Sequence, residues 1–254
     1  MIDDWARASD QGDSSTSSSL PTSFSPTTPL STSSSSPTTT TTKKKQPYDA
    51  KLVEFSKQEH KTDPKIKELN PRQQIPTFAD YETGAVVNES LAAVLYLDST
   101  YKGSGGTELV PSGDSKEACV ARGAVYQRVF EAANLHAAMR DVVYPKMRGL
   151  LKTPEDEKDW EGVKVEALKA ELARWESYLT GDGDDWLVPA ASFSAADVAV
   201  AVLVLAIQRF GASLDAFPRL KKYAAKAAGR ESVASTWPPH WKEGEGPGFI
   251  KGML

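Results

Sequence analysis

Two short stretches carry residue types that can recognise a ligand. They are Asn70-Pro-Arg-Gln-Gln-Ile-Pro-Thr-Phe78 and, after a hairpin-sized gap, Asn88-Glu-Ser-Leu91. Ile75-Pro76 stands at the entrance of a candidate strand, which suits a cis peptide bond, a form found essentially only before proline. Such a bond leaves the main-chain N–H and C=O of Ile75 unpaired by a sheet and free to bond an extended peptide in β-like fashion. Glu89 and Ser90 fall in the first turn of a helix. The N–H groups at that end favour a carboxylate, the Ser90 hydroxyl adds a donor, and Glu89 can neutralise an ammonium. Together these groups suit the head group of an α-amino acid.

Other chemistries fall away on counting. The single cysteine, Cys119, excludes intrachain disulfides and thiolate zinc sites, fits a reducing compartment, and reads as a small buried hydrophobe. With three histidines, His60, His136 and His240, and no HExxH spacing, no dedicated metal site is expected. His136 lies on an apolar stripe and reads as a packed residue. A net charge of −4 with one compact basic cluster, Lys43-Lys44-Lys45, gives no field for nucleic acid. The strongest apolar run, residues 198–207, is far short of the roughly 20 residues that span a bilayer. No membrane is therefore expected as a partner. The start, Met1-Ile-Asp-Asp-Trp5, has neither the basic nor the apolar part of a secretory signal, so a cytoplasmic location is expected.

The elements that must hold the two stretches are read from period and punctuation. Leu52, Val53 and Phe55 suggest a strand within residues 49–55. Asp63-Pro64 opens a helix that stops before Asn70-Pro71. Strands at 77–79 and 85–87 flank a turn ending in Gly84, and Asn88 is placed to cap a helix over 89–99. This alternation is an α/β signature. Beyond Pro111 the pattern is helical. One helix covers about 115–139, with Val125, Val129, Ala132, His136 and Met139 on a stripe. A second opens at Thr153-Pro154, carries Val165, Leu168, Leu172, Trp175 and Leu179, and is closed by Gly181. Ser194 and Asp197 form a capping box ahead of the apolar run, which should lie at the centre of a bundle. A fourth helix is expected over 214–228, then an irregular arm, Trp237-Pro-Pro-His-Trp241. Trp160 and Trp175 read as core.

Residues 14–42 contain 22 Ser/Thr and 4 Pro in 29 positions, with only Leu20, Phe24 and Leu30 as bulky apolar residues. Burial there cannot offset the roughly 1–2 kcal/mol per residue lost on ordering a backbone. The expected division is therefore a disordered Ser/Thr/Pro-rich tail over 1–46, an α/β unit over 47–101, a linker over 102–114 and an all-helical unit over 115–254.

In order and spacing, Phe55-Ser-Lys-Gln-Glu-His60-Lys, Leu69-Asn-Pro-Arg-Gln-Gln-Ile-Pro-Thr-Phe78, Asn88-Glu-Ser-Leu-Ala-Ala93 and Tyr96-Leu97 resemble the thioredoxin-like domain of the glutathione transferases. Phe193-Ser-Ala-Ala-Asp197 resembles that family's helical-domain folding motif. Val125-Tyr-Gln-Arg-Val-Phe-Glu131 and Ser235-Thr-Trp-Pro-Pro-His-Trp241 resemble its rho class, related to the theta group. The resemblance implies an α/β plus all-α fold and a homodimer. It implies glutathione as co-substrate without a permanently bound cofactor, and a hydrophobic electrophile as the second substrate. Carried over, Glu89 and Ser90 hold the γ-glutamyl end of glutathione, Ile75 its cysteinyl unit, and His60 and Gln74 lie near its glycyl carboxylate. Tyr126, Val129, Phe130 and Met139 are the candidates for the electrophile cleft.

The family begins with a strand, a turn bearing the catalytic hydroxyl or thiol, and a helix. Here the Ser/Thr/Pro tract stands in their place. A serine without fixed geometry cannot position a thiolate. The expectation is a truncated thioredoxin-like domain with two unpaired strand edges and no assigned catalytic residue. Three readings stay open: a transferase, a non-catalytic relative that binds glutathione or dimerises, and a first exon that wrongly replaces the catalytic segment.

Overall fold

The computed structural model describes residues 48–54, 57–101, 107–181, 185–189, 191–242 and 244–254. Expectations for residues 1–46 and for Phe55 lie outside these. Residues 48–54 form no regular structure, so the strand expected there is absent from its described part. The physical reason is the sheet: among the described residues it has two strands, and neither pairs with this segment. Val53 nevertheless buries its side chain.

The N-terminal part is built from α1 (Glu59–Thr62), α2 (Pro64–Leu69), β1 (Phe78–Ala79), β2 (Val86–Val87) and α3 (Ser90–Thr100). Asp63 caps α2 by accepting the N–H groups of Lys65 at 2.7 Å and Ile66 at 3.2 Å, with Pro64 at the first helical position. The hairpin is antiparallel, with Phe78 opposite Val87 and Ala79 opposite Val86. Its turn is held by Asp80, whose carboxylate accepts the N–H of Glu82 at 2.9 Å and of Thr83 at 3.3 Å.

The helical part comprises α4 (Lys116–Met147), α5 (Pro154–Asp159), a π-helical turn (Trp160–Val165), α6 (Glu166–Tyr178), α7 (Ala195–Arg209), α8 (Pro218–Ala228), α9 (Glu231–Ala234) and α10 (Pro239–Lys242). Helix α4 starts at the Ser115 cap and runs eight residues beyond the expected end. Val142 and Val143 continue its buried stripe, and Pro145 falls in the last turn. The end is a Schellman motif. Leu150 N–H bonds Pro145 C=O at 2.8 Å, Gly149 N–H bonds Lys146 C=O at 3.1 Å, and Gly149 takes φ +57°.

The stripe Val165, Leu168, Leu172, Trp175 and Leu179 is buried throughout, and Trp160 is buried with it. Val165 packs inward although a π-helical turn replaces the expected α-helix ahead of α6. The indole N–H of Trp160 bonds Val142 C=O at 3.0 Å, and that of Trp175 bonds Glu171 at 3.0 Å. Helix α7 is the hub, packed on α4 and α8. It is apolar all round, yet Val202 remains 43% exposed and Val198 is half-buried, so one face lacks a partner.

The fourth helix begins at Pro218 rather than 214, because proline sets the first helical position while Leu214 buries itself in the preceding loop. The expected irregular arm contains α10. The chain then crosses back over Gly211, where Ile250 N–H bonds Phe210 C=O at 2.9 Å. A Cβ on Gly211 would lie 2.9 Å from the Gly248 Cα.

The core cluster belongs almost wholly to the helical part. Among the described residues of 48–101 only Val53 and Ile66 are buried apolar residues, while Leu91, Val94 and Leu95 of α3 pack against the helical core from its edge.

Candidate functional site

The two sequence stretches meet through two asparagines. Asn70, only 1% exposed, donates from Nδ2 to Gln74 C=O at 2.6 Å and to Thr77 Oγ1 at 3.3 Å, and its Oδ1 accepts Arg72 N–H at 3.0 Å. The Thr77 hydroxyl donates to Gln74 C=O at 3.1 Å, and Gln73 takes a left-handed φ of +52°. This small network folds residues 70–77 around the Ile75–Pro76 bond, which is cis. Asn88 donates from Nδ2 to Leu69 C=O at 3.0 Å, joining the start of α3 to the end of α2.

That bond corrects one expectation. Asn88 does not cap α3; the cap position is Glu89, in extended conformation, and no side chain bonds the helix-start N–H groups. Asn88 donates through Nδ2 to Leu69, while its Oδ1, the atom a cap would use, is buried without a partner among the described residues. The consequence is chemical: α3 begins with open donors at Ser90 and Leu91, and the exposed Glu89 carboxylate stands beside them. Among the described residues, neither the N–H nor the C=O of Ile75 has a hydrogen-bond partner.

Gln74 is exposed next to Ile75, and His60 is 4% exposed within α1. On α4, Tyr126 and Phe130 are 40% and 73% exposed one turn apart, whereas Val129 is packed in the bundle core. The helical period puts Val125, Val129, Ala132 and Met139 on the inward face and Tyr126 and Phe130 on another. Of the four cleft candidates, Met139 alone borders the molecule's large cavity.

That cavity, about 720 Å³, lies between α3, α4, α7 and the C-terminal arm. Leu91 and Val94 line it from α3, Val198 and Val202 from α7, and Trp237 and Trp241 from the arm, with Ser90 at its edge. Its size is that of a small-molecule pocket. The unpartnered face of α7 is its floor.

Three further groups position the site, the first two without a signal that the sequence made plain. The Asp80 carboxylate accepts the hydroxyls of Tyr96 and Tyr101, each at 2.7 Å, fastening the hairpin to α3. These bonds, the Tyr101 one foremost, hold the Asp80 carboxyl well below the usual carboxylate range, and the Tyr101 phenol is pushed up to about 12. Asp98 of α3 accepts Leu109 N–H at 2.7 Å and Val110 N–H at 3.2 Å, and Leu109 C=O accepts Ala195 N–H at 2.8 Å. A chain of bonds therefore runs from α3 to the start of α7. At that start Asp197, fully buried, accepts the N–H and hydroxyl of Ser194 at 2.9 and 2.8 Å and Leu187 N–H at 3.0 Å. This is the capping box read in the sequence.

Two other residues are as informative for what they do not do. Burial, aided by Arg140, pushes the His136 imidazole down to about 4, so it is neutral at physiological pH. Cys119, expected to be buried, is exposed on the outward side of the first turns of α4, with Arg122 Nη2 at 3.3 Å from its sulfur. No cluster of three or more His, Cys, Asp or Glu suited to a metal occurs among the described residues. No described helix is long and apolar enough to cross a membrane.

A small sheet with a cis-proline loop, followed by a helical bundle nucleated by a buried capping box, defines a recognisable class. The chain belongs to the glutathione S-transferase family. Residues 40–100 match the family model for the glutathione S-transferase N-terminal domain, and residues 140–235 that for the C-terminal domain. The chain is 38% identical over 200 residues to glutathione S-transferase A of Pleuronectes platessa, spanning 78% of this chain and 83% of that protein. A crystal structure of a glutathione S-transferase from the Antarctic clam Laternula elliptica superposes with a TM-score of 0.68 at 36% identity, over 82% of this chain and 88% of that one. A glutathione transferase homologue from sulfitobacter, with bound glutathione, does so with a TM-score of 0.54 at 25% identity, over 74% and 84%. The fold is accordingly a thioredoxin-like domain joined to an all-helical domain, here with a two-stranded sheet among the described residues.

Proposed function

We propose that this protein conjugates glutathione to electrophilic small molecules. The observation that carries the reading is the unpaired main chain of Ile75 beside a cis proline, tied through Asn70 and Asn88 to a helix start with open donors and a free carboxylate at Glu89. Glutathione is a peptide with an α-amino acid head group, and this is the pair of features such a ligand needs. In this reading Glu89 takes its ammonium, Ser90 and the α3 N–H groups take its α-carboxylate, and Ile75 bonds its cysteinyl unit. Gln74 and His60 border the glycyl end, and the electrophile lies in the apolar cavity that Ser90 edges.

In the reaction the glutathione thiolate attacks the electrophilic carbon, a C–S bond forms, and the leaving group departs with its electron pair. For a chloronitrobenzene that group is chloride, and the thiol proton goes to solvent. No catalytic residue is assigned. A homodimer, a cytoplasmic place, a role in detoxification, the rho class and the division at residues 101 and 115 belong to the same reading.

The test uses the full chain on immobilised glutathione and with a chloronitrobenzene. Retention that Ser90→Ala and Glu89→Ala each abolish, with turnover above the uncatalysed rate, is the expected result. Retention without turnover refutes transfer, and the absence of both refutes the site.

A further inference from the structure

We infer that the cavity over α7 selects ligands that combine an apolar body with a carboxylate, and that Arg230 is the residue that selects them. The inference rests on the reading of this cavity as the second-substrate site and deepens it by naming the chemical class.

The cavity wall is overwhelmingly hydrocarbon and indole, from Leu91, Val94, Met139, Val198, Val202 and Trp237. Filling it with an apolar body removes both the ligand and the unpartnered Val198–Val202 face from water, at roughly 25 cal/mol per Å². Among the described lining residues one is a cation, Arg230, at the start of α9. Its Nε donates to Ser232 Oγ at 2.9 Å, and its guanidinium carbon sits 4.3 Å from the centre of the Phe193 ring. The stack and the hydrogen bond fix the plane of the guanidinium while leaving its two terminal nitrogens to donate. Among the described residues Arg230 has no carboxylate partner.

A half-buried, oriented guanidinium without a counter-ion at the border of an apolar cavity is suited to bidentate recognition of a carboxylate. The one acid among the described lining residues, Asp197, does not serve as its counter-ion; its oxygens accept from Ser194 and Leu187. Its negative charge also directs an anionic head group away from the α7 start and toward Arg230.

Binding of dodecanoate and of its uncharged analogue methyl dodecanoate to the full chain, followed by the fluorescence of the cavity tryptophans Trp237 and Trp241 and by calorimetry, tests this. The wild-type protein should bind the carboxylate about tenfold more tightly than the ester, the scale of a charge-assisted bond in a partly wet site. Arg230→Gln should abolish that preference while leaving ester affinity unchanged, which a merely structural role for Arg230 does not produce. Val202→Phe, at an exposed position that fills the floor, should weaken both ligands equally. Equal affinity for the two ligands in the wild type, a preference that survives Arg230→Gln, or no saturable binding overturns the inference. The ligands are unreactive and no glutathione is present, so these outcomes are distinct from a failure of conjugation or of glutathione retention.

Discussion

Removing the Asp197 carboxylate should be among the most damaging single changes to this protein. In Asp197→Ala, three donors lose their acceptor: the N–H and hydroxyl of Ser194 and the N–H of Leu187, all in a site with no solvent access. The Ser194 hydroxyl can rotate toward another acceptor, but the two main-chain donors cannot. A buried donor left without a partner costs about 1–3 kcal/mol, and bonds to a charged acceptor contribute about 1.5–3 kcal/mol each. Against this, the substitution relieves the burial of the carboxylate itself, the cause that raises its pKa. The balance is a loss of about 3–5 kcal/mol, a large part of the roughly 5–15 kcal/mol that holds a domain folded.

Urea unfolding of the full chain, followed by far-ultraviolet circular dichroism and by tryptophan fluorescence, measures the loss. Asp197→Asn, which retains one acceptor oxygen, should show about half of it. A loss below about 1 kcal/mol in the alanine variant would refute the reasoning, since no single orphaned donor is that cheap. Acidification provides a second arm. The folded Asp197 carboxyl has a pKa above 3.8, so the folded protein takes up this proton before the unfolded chain does. As pH falls through the raised value toward 3.8, this group's contribution therefore shifts in favour of the folded state. The stability advantage of wild type over Asp197→Asn should widen across that window. Its narrowing would mean that hydrogen bonding outweighs burial.

Asp80→Asn should return the Tyr101 phenol from about 12 toward 10, read as earlier ionisation in an alkaline ultraviolet-difference titration; an unmoved titration would show that Asp80 does not govern it. The Asp80 carboxyl titrates below the usual range, so its clamp on Tyr96 and Tyr101 is present above an ordinary carboxyl pKa and is lost as pH falls through the depressed one. Asp98→Ala releases the N–H groups of Leu109 and Val110, and limited proteolysis should cut near residues 107–111 markedly faster, with unfolding shifted by about 1–3 kcal/mol. Unchanged cleavage would show that Leu109–Ala195 alone anchors this segment.

Features that depend on a residue and its near neighbours were legible in the sequence. The Ser194–Asp197 box, the Thr153–Pro154 start, the Leu168–Leu172–Trp175 stripe and the cis bond before Pro76 are all present. Features that depend on a partner elsewhere were not. A strand near Leu52 needs a neighbour to complete its hydrogen bonds, and none of the described strands pairs there. Asn88 suits a cap by type, yet with its Nδ2 bonded to the Leu69 carbonyl its Oδ1 reaches no helix-start N–H. Helix α4 outlasts its expected end because the stripe resumes at Val142, beyond the polar pair Arg140-Asp141. At the candidate site, residue types singled out Ile75, Glu89 and Ser90, while the cavity bordered by Arg230 depends on how α9 and the arm fold over α7.

The uneven distribution of buried apolar residues bears on how strongly a ligand can bind at the candidate site. With Val53 and Ile66 as the only buried apolar side chains among the described residues between 48 and 101, the segment bearing Ile75 and Ser90 leans on α3, which rests on the helical part. A dissociation constant measured on such a segment is the intrinsic one divided by the fraction of molecules in which it is assembled. On the proposed reading, substitutions deep in the bundle, far from any ligand atom, surface as weaker glutathione binding.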